Sequence, residues 1–215
     1  MPRLTPDPHS YARPTEVVVR RMALDLDVDL DRQRLAGSVT FDVERVDPEA
    51  TELALDTWHL DLGAVTDGDG TPLEHHVGEH DEILGTPLTI RLGDTDRVVV
   101  HYATTEKATA LQWLGAEQTS SGQPFLFTQS QPILARSWIP CQDSPGIRAP
   151  YDATVRVPAH LMAVMSAENP TERSADGHYR FTMPEPVPTY LVALAVGDLR
   201  FRELGARSGV YAEEA

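Results

Sequence analysis

Residues 124–145 read Pro-Phe-Leu-Phe-Thr-Gln-Ser-Gln-Pro-Ile-Leu-Ala-Arg-Ser-Trp-Ile-Pro-Cys-Gln-Asp-Ser-Pro. The apolar, aromatic-rich run Phe125–Thr128 predicts a strand at the start of this segment. Gln129 and Gln131 follow two positions apart, so their side chains share one face if the backbone is extended. The segment closes with a proline-bounded turn that contains Cys141. A simple connecting loop rarely combines aromatic residues, paired amides, an arginine and a cysteine, so this segment is the first candidate for a functional site.

The composition of the chain sets broad limits on its function. Hydrophobic residues make up 41% and charged residues 24% of 215 residues, which is enough for a sizeable core. The formal net charge of -15 argues against nucleic acid and against anionic membranes as partners, since both need a basic face. A single cysteine excludes an intrachain disulfide and fits a cytoplasmic protein. We find neither a signal peptide in the opening residues nor a run of about 20 apolar residues that would span a membrane.

Alternating apolar and polar residues predict strands along most of the chain. Residues 22–31 alternate with a strict period of two and carry aspartates on the polar face, and residues 35–46 continue the alternation after a turn. These two segments predict an antiparallel hairpin with one wet, acidic face. Residues 151–157 alternate in the same way. Shorter strands are expected near residues 52–56, 60–65, 88–92, 98–102 and 161–166.

The last third of the chain predicts one more hairpin and then an open end. Residues 178–183 and 190–196 are its two strands, with the proline-rich run 184–188 as the turn. The second strand is almost continuously apolar, which is typical of a central strand buried on both faces. Residues 105–114 could form one or two helical turns, and residues 210–215 trail off without a closing element. Because no amphipathic helix of about ten residues is evident, the fold class is predicted to be all-β.

A histidine-rich segment at residues 75–80 raises the question of a metal site. It reads His-His-Val-Gly-Glu-His, so His76 and His80 have the i, i+4 spacing of a helical zinc site. Gly78 weakens a helix, and Val77 occupies the position where the glutamate is needed. A solvated loop is the favoured interpretation, and the sequence contains no His-Glu-x-x-His motif anywhere.

The segment Asp-Gly-Asp-Gly at residues 67–70 could be the start of a calcium loop. An EF-hand loop also needs a glutamate at its twelfth position and a helix on each side, and neither is evident. A hairpin turn is therefore the favoured interpretation.

Cys141 is a candidate nucleophile. A catalytic cysteine needs a positioned base, and the nearest histidines, His101 and His160, are distant in sequence. A buried or turn cysteine is the favoured interpretation. No Gly-x-Ser-x-Gly motif supports a serine nucleophile instead.

The amides Gln129 and Gln131 suit ligand binding better than catalysis. An amide is a poor acid or base, but it offers one carbonyl acceptor and two N–H donors. The pair could bind a peptide backbone or an ammonium group. Alternatively, the two amides are satisfied by neighbouring backbone groups, which is the favoured interpretation from the residues alone.

Residues 125–145 resemble a segment in the N-terminal domain of the M1 zinc aminopeptidases, most closely in the branch of leukotriene A4 hydrolase and related bacterial aminopeptidases. Three other segments have similar counterparts in the same order. They are Leu-Gln-Trp-Leu at 111–114, Leu-Met-Ala-Val-Met-Ser-Ala at 161–167, and Pro-Thr-Tyr-Leu-Val-Ala-Leu-Ala-Val-Gly-Asp at 188–198. The resemblance covers nearly the whole chain.

The resemblance implies a saddle-shaped domain of mixed and antiparallel sheets that packs on a separate thermolysin-like catalytic domain and closes one side of its cleft. By motif alignment, Gln131 helps to bind the free α-amine of a peptide substrate, and Gln129 lines the first side-chain pocket. Many members of the family have glutamate at the position of Gln131. Residues 1–15 contain four prolines and little apolar content, so they are expected to form an extended lead-in. The β-rich domain is expected over residues 16–205, and the start of a linker to the catalytic domain over residues 206–215.

The chain departs from the complete family pattern in its catalytic parts. It has no Gly-x-Met-Glu-Asn loop, no His-Glu-x-x-His motif and no downstream zinc-ligand glutamate. The resemblance therefore implies a domain without catalytic residues or metal ligands, whose parent enzyme holds zinc elsewhere and removes N-terminal amino acids from peptides. The alternative is a stand-alone β-sandwich module that binds protein or carbohydrate. A large exposed apolar patch is expected for the first and not for the second.

Overall fold

The computed structural model describes residues 5–214, so residues 1–4 of the expected lead-in and Ala215 of the expected linker lie outside the described part. Between them the chain forms strands and three short 3-10 helices, which confirms the all-β class. The strands are β1 Val17–Asp29, β2 Arg34–Arg45, β3 Glu52–Thr57, β4 Asp61–Asp67, β5 His75–Val77, β6 Thr86–Arg91, β7 Arg97–Ala103, β8 Leu111–Leu114, β9 Phe125–Thr128, β10 Ala149–Arg156, β11 Met162–Met165, β12 His178–Val187, β13 Leu194–Gly197, β14 Leu199–Gly205 and β15 Ser208–Glu213. The 3-10 helices are Ala116–Gln118, Ala135–Ser137 and Thr189–Leu191.

The strands form four sheets. The largest has six strands in the order β12-β10-β1-β2-β7-β4, and its β1–β10 pair is parallel while the other pairs are antiparallel. The others are antiparallel, with the orders β11-β13-β9-β8, β3-β6-β5 and β14-β15. The expectation of mixed and antiparallel sheets is therefore confirmed. Among residues 5–214, none of the helices reaches the length and apolar content needed to span a membrane.

The predicted hairpin of residues 22–46 is present as β1 and β2. Leu24, Leu26 and Val28 are buried, whereas the aspartates between them face solvent or lie at the surface. Full burial of each such side chain contributes roughly 1.5–3 kcal/mol, so the inner face of this hairpin supplies much of the core. Gly37 is required in β2, because a Cβ atom there would lie 1.9 Å from the carbonyl oxygen of Asp25.

The prediction of a hairpin over residues 178–196 is wrong, because its two strands do not pair with each other. Strand β12 continues through Pro184 and Pro186 and pairs only with β10, at the edge of the six-stranded sheet. An edge strand tolerates proline because one side of its backbone needs no ladder hydrogen bond. The 3-10 helix Thr189–Leu191 then carries the chain to β13, which lies between β11 and β9 in another sheet. Strand β13 is central as expected, but half-buried Ala195 shows that one of its faces is partly open.

Three other segments differ from expectation. Residues 208–213 form β15, which pairs with β14 instead of trailing off, and the Glu213 carboxylate accepts hydrogen bonds from the Ser120 N–H and the Ser121 hydroxyl. His75–Val77 is a short strand rather than a loop, and Leu111–Leu114 is a strand rather than a helical turn. In each case pairing with a neighbouring strand supplies the backbone hydrogen bonds that local sequence did not predict.

Candidate functional site

Gln129 and Gln131 lie where the chain leaves the four-stranded sheet after β9. Both side chains are exposed, and the residue between them, Ser130, is buried. The Gln129 N–H donates to the Ala110 carbonyl at 2.8 Å, so the backbone is held while the side chain is not. Across the described residues neither side-chain amide has a hydrogen-bond partner. The interpretation that neighbouring backbone groups satisfy the pair therefore finds no support, and both amides are available to a ligand.

Ser130 fixes the short segment between the two amides. Its hydroxyl accepts a hydrogen bond from the indole Nε1–H of Trp138 at 3.0 Å and donates to the Val192 carbonyl at 3.2 Å. Its backbone carbonyl accepts from the Leu134 N–H at 2.8 Å. The Gln131–Pro132 peptide bond is cis. The two exposed amides thus flank a residue that is bonded to the interior at several atoms.

A buried arginine, Arg136, follows this segment in the chain. The Arg136 residue is only 1% exposed, and its Nε–H donates to Asp143 Oδ2 at 3.1 Å. One terminal nitrogen donates to the Leu84 carbonyl at 2.7 Å, and the other donates to the His9 carbonyl at 2.8 Å. A buried guanidinium is tolerated only when its donors are satisfied, and this one holds three separate parts of the chain together.

A second buried carboxylate, Asp56, completes the polar network. Its Oδ2 lies 3.9 Å from a terminal nitrogen of Arg136 and accepts hydrogen bonds from the Ser10 hydroxyl at 2.5 Å and the Asp143 N–H at 2.8 Å. Its Oδ1 accepts from the Tyr11 N–H at 2.6 Å. Burial raises the pKa of Asp56, while the Arg136 charge and these donors act in the opposite direction. The network therefore attaches the described part of the lead-in to the domain.

Gln142 in the proline-bounded turn has a structural role. Its Oε1 accepts a hydrogen bond from the Val19 N–H, and its Nε2 donates to the Val17 carbonyl, both at 2.9 Å. These bonds join the turn to β1 of the large sheet. The turn is therefore anchored to the large sheet and has a structural role.

The environment of Cys141 argues against a nucleophile. The thiol is buried, and burial raises its pKa well above the ordinary value, with the carboxylates of Asp143 and Asp56 acting in the same direction. A thiol in this setting stays protonated at neutral pH. The interpretation of Cys141 as a buried structural residue is thus favoured by the structure.

We expect Cys141 to be unreactive in the folded chain. With Ellman's reagent at pH 8, the native protein should react at least about 100-fold more slowly than the urea-unfolded protein, because reaction requires opening of the core. The unfolded chain serves as the control for complete labelling. Rapid stoichiometric reaction of the native chain would contradict the buried, protonated thiol.

The two other candidate sites do not form metal-binding groups. His75 and His76 lie in β5 and are exposed, and His80 is an exposed residue in the following turn. Asp67 Oδ1 accepts hydrogen bonds from the N–H groups of Asp69 and Thr71, which is the geometry of a turn. Within the described part of the chain, no three His, Cys, Asp or Glu residues are grouped so that they could hold a metal ion.

An open apolar surface lies on the four-stranded sheet next to the amides. We call it the β9 face and define it by Phe125, Phe127, Val164 and Ala195. Phe127 is paired with Ala195, which is paired with Val164, so these side chains form a row across three strands. Phe127 is 39% exposed, and the other three are partly exposed. Odd-numbered positions of β9 share one side, so the β9 face leads directly to Gln129.

Sequence reasoning identified the amides but not the residues that hold them. The Ser130–Trp138 contact and the network of Asp56, Arg136 and Asp143 depend on residues distant in sequence, such as His9 and Val192. The one local signal was an arginine within the mostly apolar run of residues 133–139. A charged residue in such a run indicates a buried, paired charge.

Comparison with known proteins identifies the family of this chain. The chain matches the Peptidase M1 N-terminal domain over residues 7–191. It is 37% identical to leucine aminopeptidase 2 of Eremothecium gossypii, covering 93% of this chain and 32% of that protein. It is 36% identical to leukotriene A-4 hydrolase of Xenopus laevis, covering 97% of this chain and 36% of that protein. The chain thus spans about a third of the length of these relatives.

Solved structures give the same result. Native yeast LTA4 hydrolase superimposes with a TM-score of 0.89 at 34% identity, covering 96% of this chain and 33% of that one. The M1 zinc metallopeptidase from Deinococcus radiodurans superimposes with a TM-score of 0.69 at 25% identity, covering 91% and 46%. The match to the family model, over residues 7–191, extends over most of the described strands and includes residues 129–131. The chain therefore belongs to the M1 peptidase family and represents its N-terminal domain.

Proposed function

We propose that this chain is the non-catalytic N-terminal domain of a zinc-dependent M1 aminopeptidase, in which it closes one side of the active-site cleft and helps to bind the α-amine of a peptide substrate. One observation carries the proposal. Two exposed amides that have no hydrogen-bond partner among residues 5–214, Gln129 and Gln131, stand on a segment whose backbone and intervening side chain are bonded to the interior. Rigid support of exposed polar groups is what a binding site needs.

The chemistry of an amide limits what Gln131 contributes. A substrate ammonium offers three N–H donors, and Gln131 can accept one of them through its neutral carbonyl oxygen. The opposing negative charge must come from carboxylates elsewhere, which we assign to the catalytic domain. Gln129 lies on the same side, and we propose that it lines the first side-chain pocket.

The β9 face supports docking of a catalytic domain beside the amides. Phe127 and Gln129 are two positions apart at the end of β9, so a surface that covers the phenyl ring also approaches the amide. Exposed apolar rows of this kind mark interaction sites. We propose that the thermolysin-like catalytic domain of the same enzyme covers this face, with residues 16–205 as the body of the N-terminal domain and residues 206–215 leading towards that partner.

Zinc, in this proposal, is held by the catalytic domain. The described residues 5–214 offer no group of metal ligands, so the donor set of this chain does not fit a zinc ion. Bound zinc would activate the water that cleaves the first peptide bond. The contribution of this chain is confined to substrate binding and enclosure. We also propose a cytoplasmic location, which the single, reduced cysteine supports.

The alternative of a stand-alone binding module for protein or carbohydrate is less consistent with the surface. Such a module was expected to lack a large exposed apolar patch. The β9 face, where Phe127 is 39% exposed, supports a domain that packs against another.

Replacing Phe127 with serine tests the docking face. In the isolated 215-residue chain the change should lower the thermal midpoint only modestly, because 39% of Phe127 is already exposed there. In the complete aminopeptidase it should lower the midpoint by about 3–6 °C, since a buried phenyl group is lost. Scanning calorimetry of both proteins measures the difference.

Val46→Ser is the matched control, since Val46 is exposed to a similar extent but follows β2 in the large sheet. It should affect the isolated chain and the complete enzyme equally. If Phe127→Ser also affected both equally, the β9 face would not be the docking surface.

A further inference from the structure

Ser130 and Trp138 form a buried relay directly behind the exposed amides. The Trp138 indole N–H donates to the Ser130 hydroxyl at 3.0 Å, and that hydroxyl donates onward to the Val192 carbonyl at 3.2 Å. Trp138 is 0% exposed and Ser130 is 3% exposed. Neither residue can reach a ligand, so any effect on binding must act through neighbours.

The Ser130 hydroxyl oxygen joins three parts of the domain, namely its own segment, Trp138 and Val192. Trp138 follows the 3-10 helix Ala135–Ser137, and Val192 follows the 3-10 helix Thr189–Leu191, which leads into β13. Because Ser130 lies between Gln129 and Gln131, its backbone conformation sets the separation of the Cα atoms of the two amide residues. The remaining constraints are the hydrogen bonds from Gln129 N–H to the Ala110 carbonyl and from Leu134 N–H to the Ser130 carbonyl.

The Ser130 hydroxyl acts both as an acceptor and as a donor of hydrogen bonds in this relay. It accepts one hydrogen bond and donates one, so its orientation is determined by its two partners. Loss of the indole N–H would leave the hydroxyl with a single partner inside the core. The segment would then gain freedom, and small displacements of a binding group reduce binding sharply.

We propose that Trp138 and Ser130 are positioning residues for recognition of the substrate α-amine, acting through Gln131. This inference rests on the proposed function of Gln131. It assigns no contact between either residue and the substrate. It predicts instead that the relay matters for peptide binding only as long as the amide of Gln131 is present.

A double-mutant cycle in the complete aminopeptidase tests the inference. Trp138→Phe keeps an aromatic ring and removes the N–H donor, and we expect it to raise KM for an aminoacyl-anilide by about 3- to 10-fold with kcat changed by less than about twofold. In a Gln131→Ala background the same change should have no further effect on KM. Ser130→Ala should behave like Trp138→Phe in both backgrounds.

Tyr179→Phe is the control for a general loss of stability. It removes a buried hydroxyl that donates to the Leu161 carbonyl at 3.0 Å, away from the amide segment. Like Ser130→Ala, this variant loses a buried hydroxyl and its hydrogen bond, yet its KM should match that of the unmodified enzyme.

Hydrogen exchange in the 215-residue chain gives a readout independent of activity. Trp138→Phe should speed exchange of the Gln129 and Leu134 amides by about 10-fold or more, while the β1–β2 amides keep their protection. Faster exchange throughout the chain would show a general loss of stability and overturn a positioning role.

The outcomes separate the two proposals. If Gln131→Ala alone leaves KM unchanged, the proposed function of Gln131 is wrong. If Gln131→Ala raises KM but Trp138→Phe does not, only the positioning role is overturned. The positioning role is also overturned if Trp138→Phe raises KM equally with and without the Gln131 amide, because the relay would then act on the enzyme as a whole.

Discussion

An Arg136→Met variant of the chain should lose about 3–5 kcal/mol of unfolding free energy, because it leaves buried carboxylates without their counter-charge. Methionine fills a similar volume, so the loss reports on charge and hydrogen bonding rather than on a cavity. The affected carboxylates are Asp143 and Asp56, which are both buried. Urea titration of the variant and of the unmodified chain measures the change.

The expected loss is large because Arg136 serves several segments at once. Its guanidinium also satisfies the carbonyl groups of His9 and Leu84, so the lead-in and the turn before β6 lose a partner together. Unsatisfied buried acceptors each cost roughly 1–3 kcal/mol. In the same titration, a lowered slope of unfolding free energy against urea concentration would additionally report a loosened native state.

Arg32→Met is the matched control, because it makes the same substitution at an exposed site. Arg32 pairs with Asp29 at 3.3 Å in the turn between β1 and β2. Exposed pairs contribute about 0–1 kcal/mol, so little change is expected. If Arg136→Met cost no more than Arg32→Met, the buried network would not be a main source of the stability of the domain.

A Gln131→Ala variant of the complete aminopeptidase should raise KM for peptides by roughly 10- to 150-fold, which corresponds to about 1.5–3 kcal/mol for one hydrogen bond to a charged group. The loss should fall on KM with kcat nearly unchanged, because the ammonium is bound equally in the ground and transition states. Initial rates over a range of aminoacyl-anilide concentrations separate the two constants.

Two further variants control this measurement. Gln33→Ala removes an exposed amide from the turn between β1 and β2 and should leave both constants unchanged. Gln131→Glu restores an acceptor and adds negative charge, so its KM should lie below that of Gln131→Ala. Equal kinetics for Gln131→Ala and the unmodified enzyme would remove Gln131 from the binding site.

The strands that could be predicted from sequence are those with one wet and one buried face. The alternation in residues 22–46 specified β1 and β2 because each polar position met solvent. The continuation of strand β12 beyond residue 183 was not predicted, because its prolines are typical of turns, although an edge strand accommodates them. Strand β15 was not predicted because its exposed residues carry no apolar period and its pairing with β14 supplies the order.

The candidate site could be predicted only in part. Gln129 and Gln131 are evident as paired amides, and the role proposed for them comes from the family resemblance rather than from periodicity. Their support was not predictable, because Ser130 bonds to Trp138 eight residues away and to Val192 62 residues away. Contacts of this kind depend on how the sheets are arranged, which local sequence does not specify.

The central claim, that Gln131 binds a substrate α-amine, is tested most directly by two compounds that compete with the anilide substrate and differ only in that group. Leucinamide carries the amine, and 4-methylpentanamide lacks it. Recognition through Gln131 predicts that Gln131→Ala raises the inhibition constant of leucinamide by roughly 10- to 150-fold and that of 4-methylpentanamide by less than about twofold. An equal change for the two inhibitors, or no change for leucinamide, would contradict it.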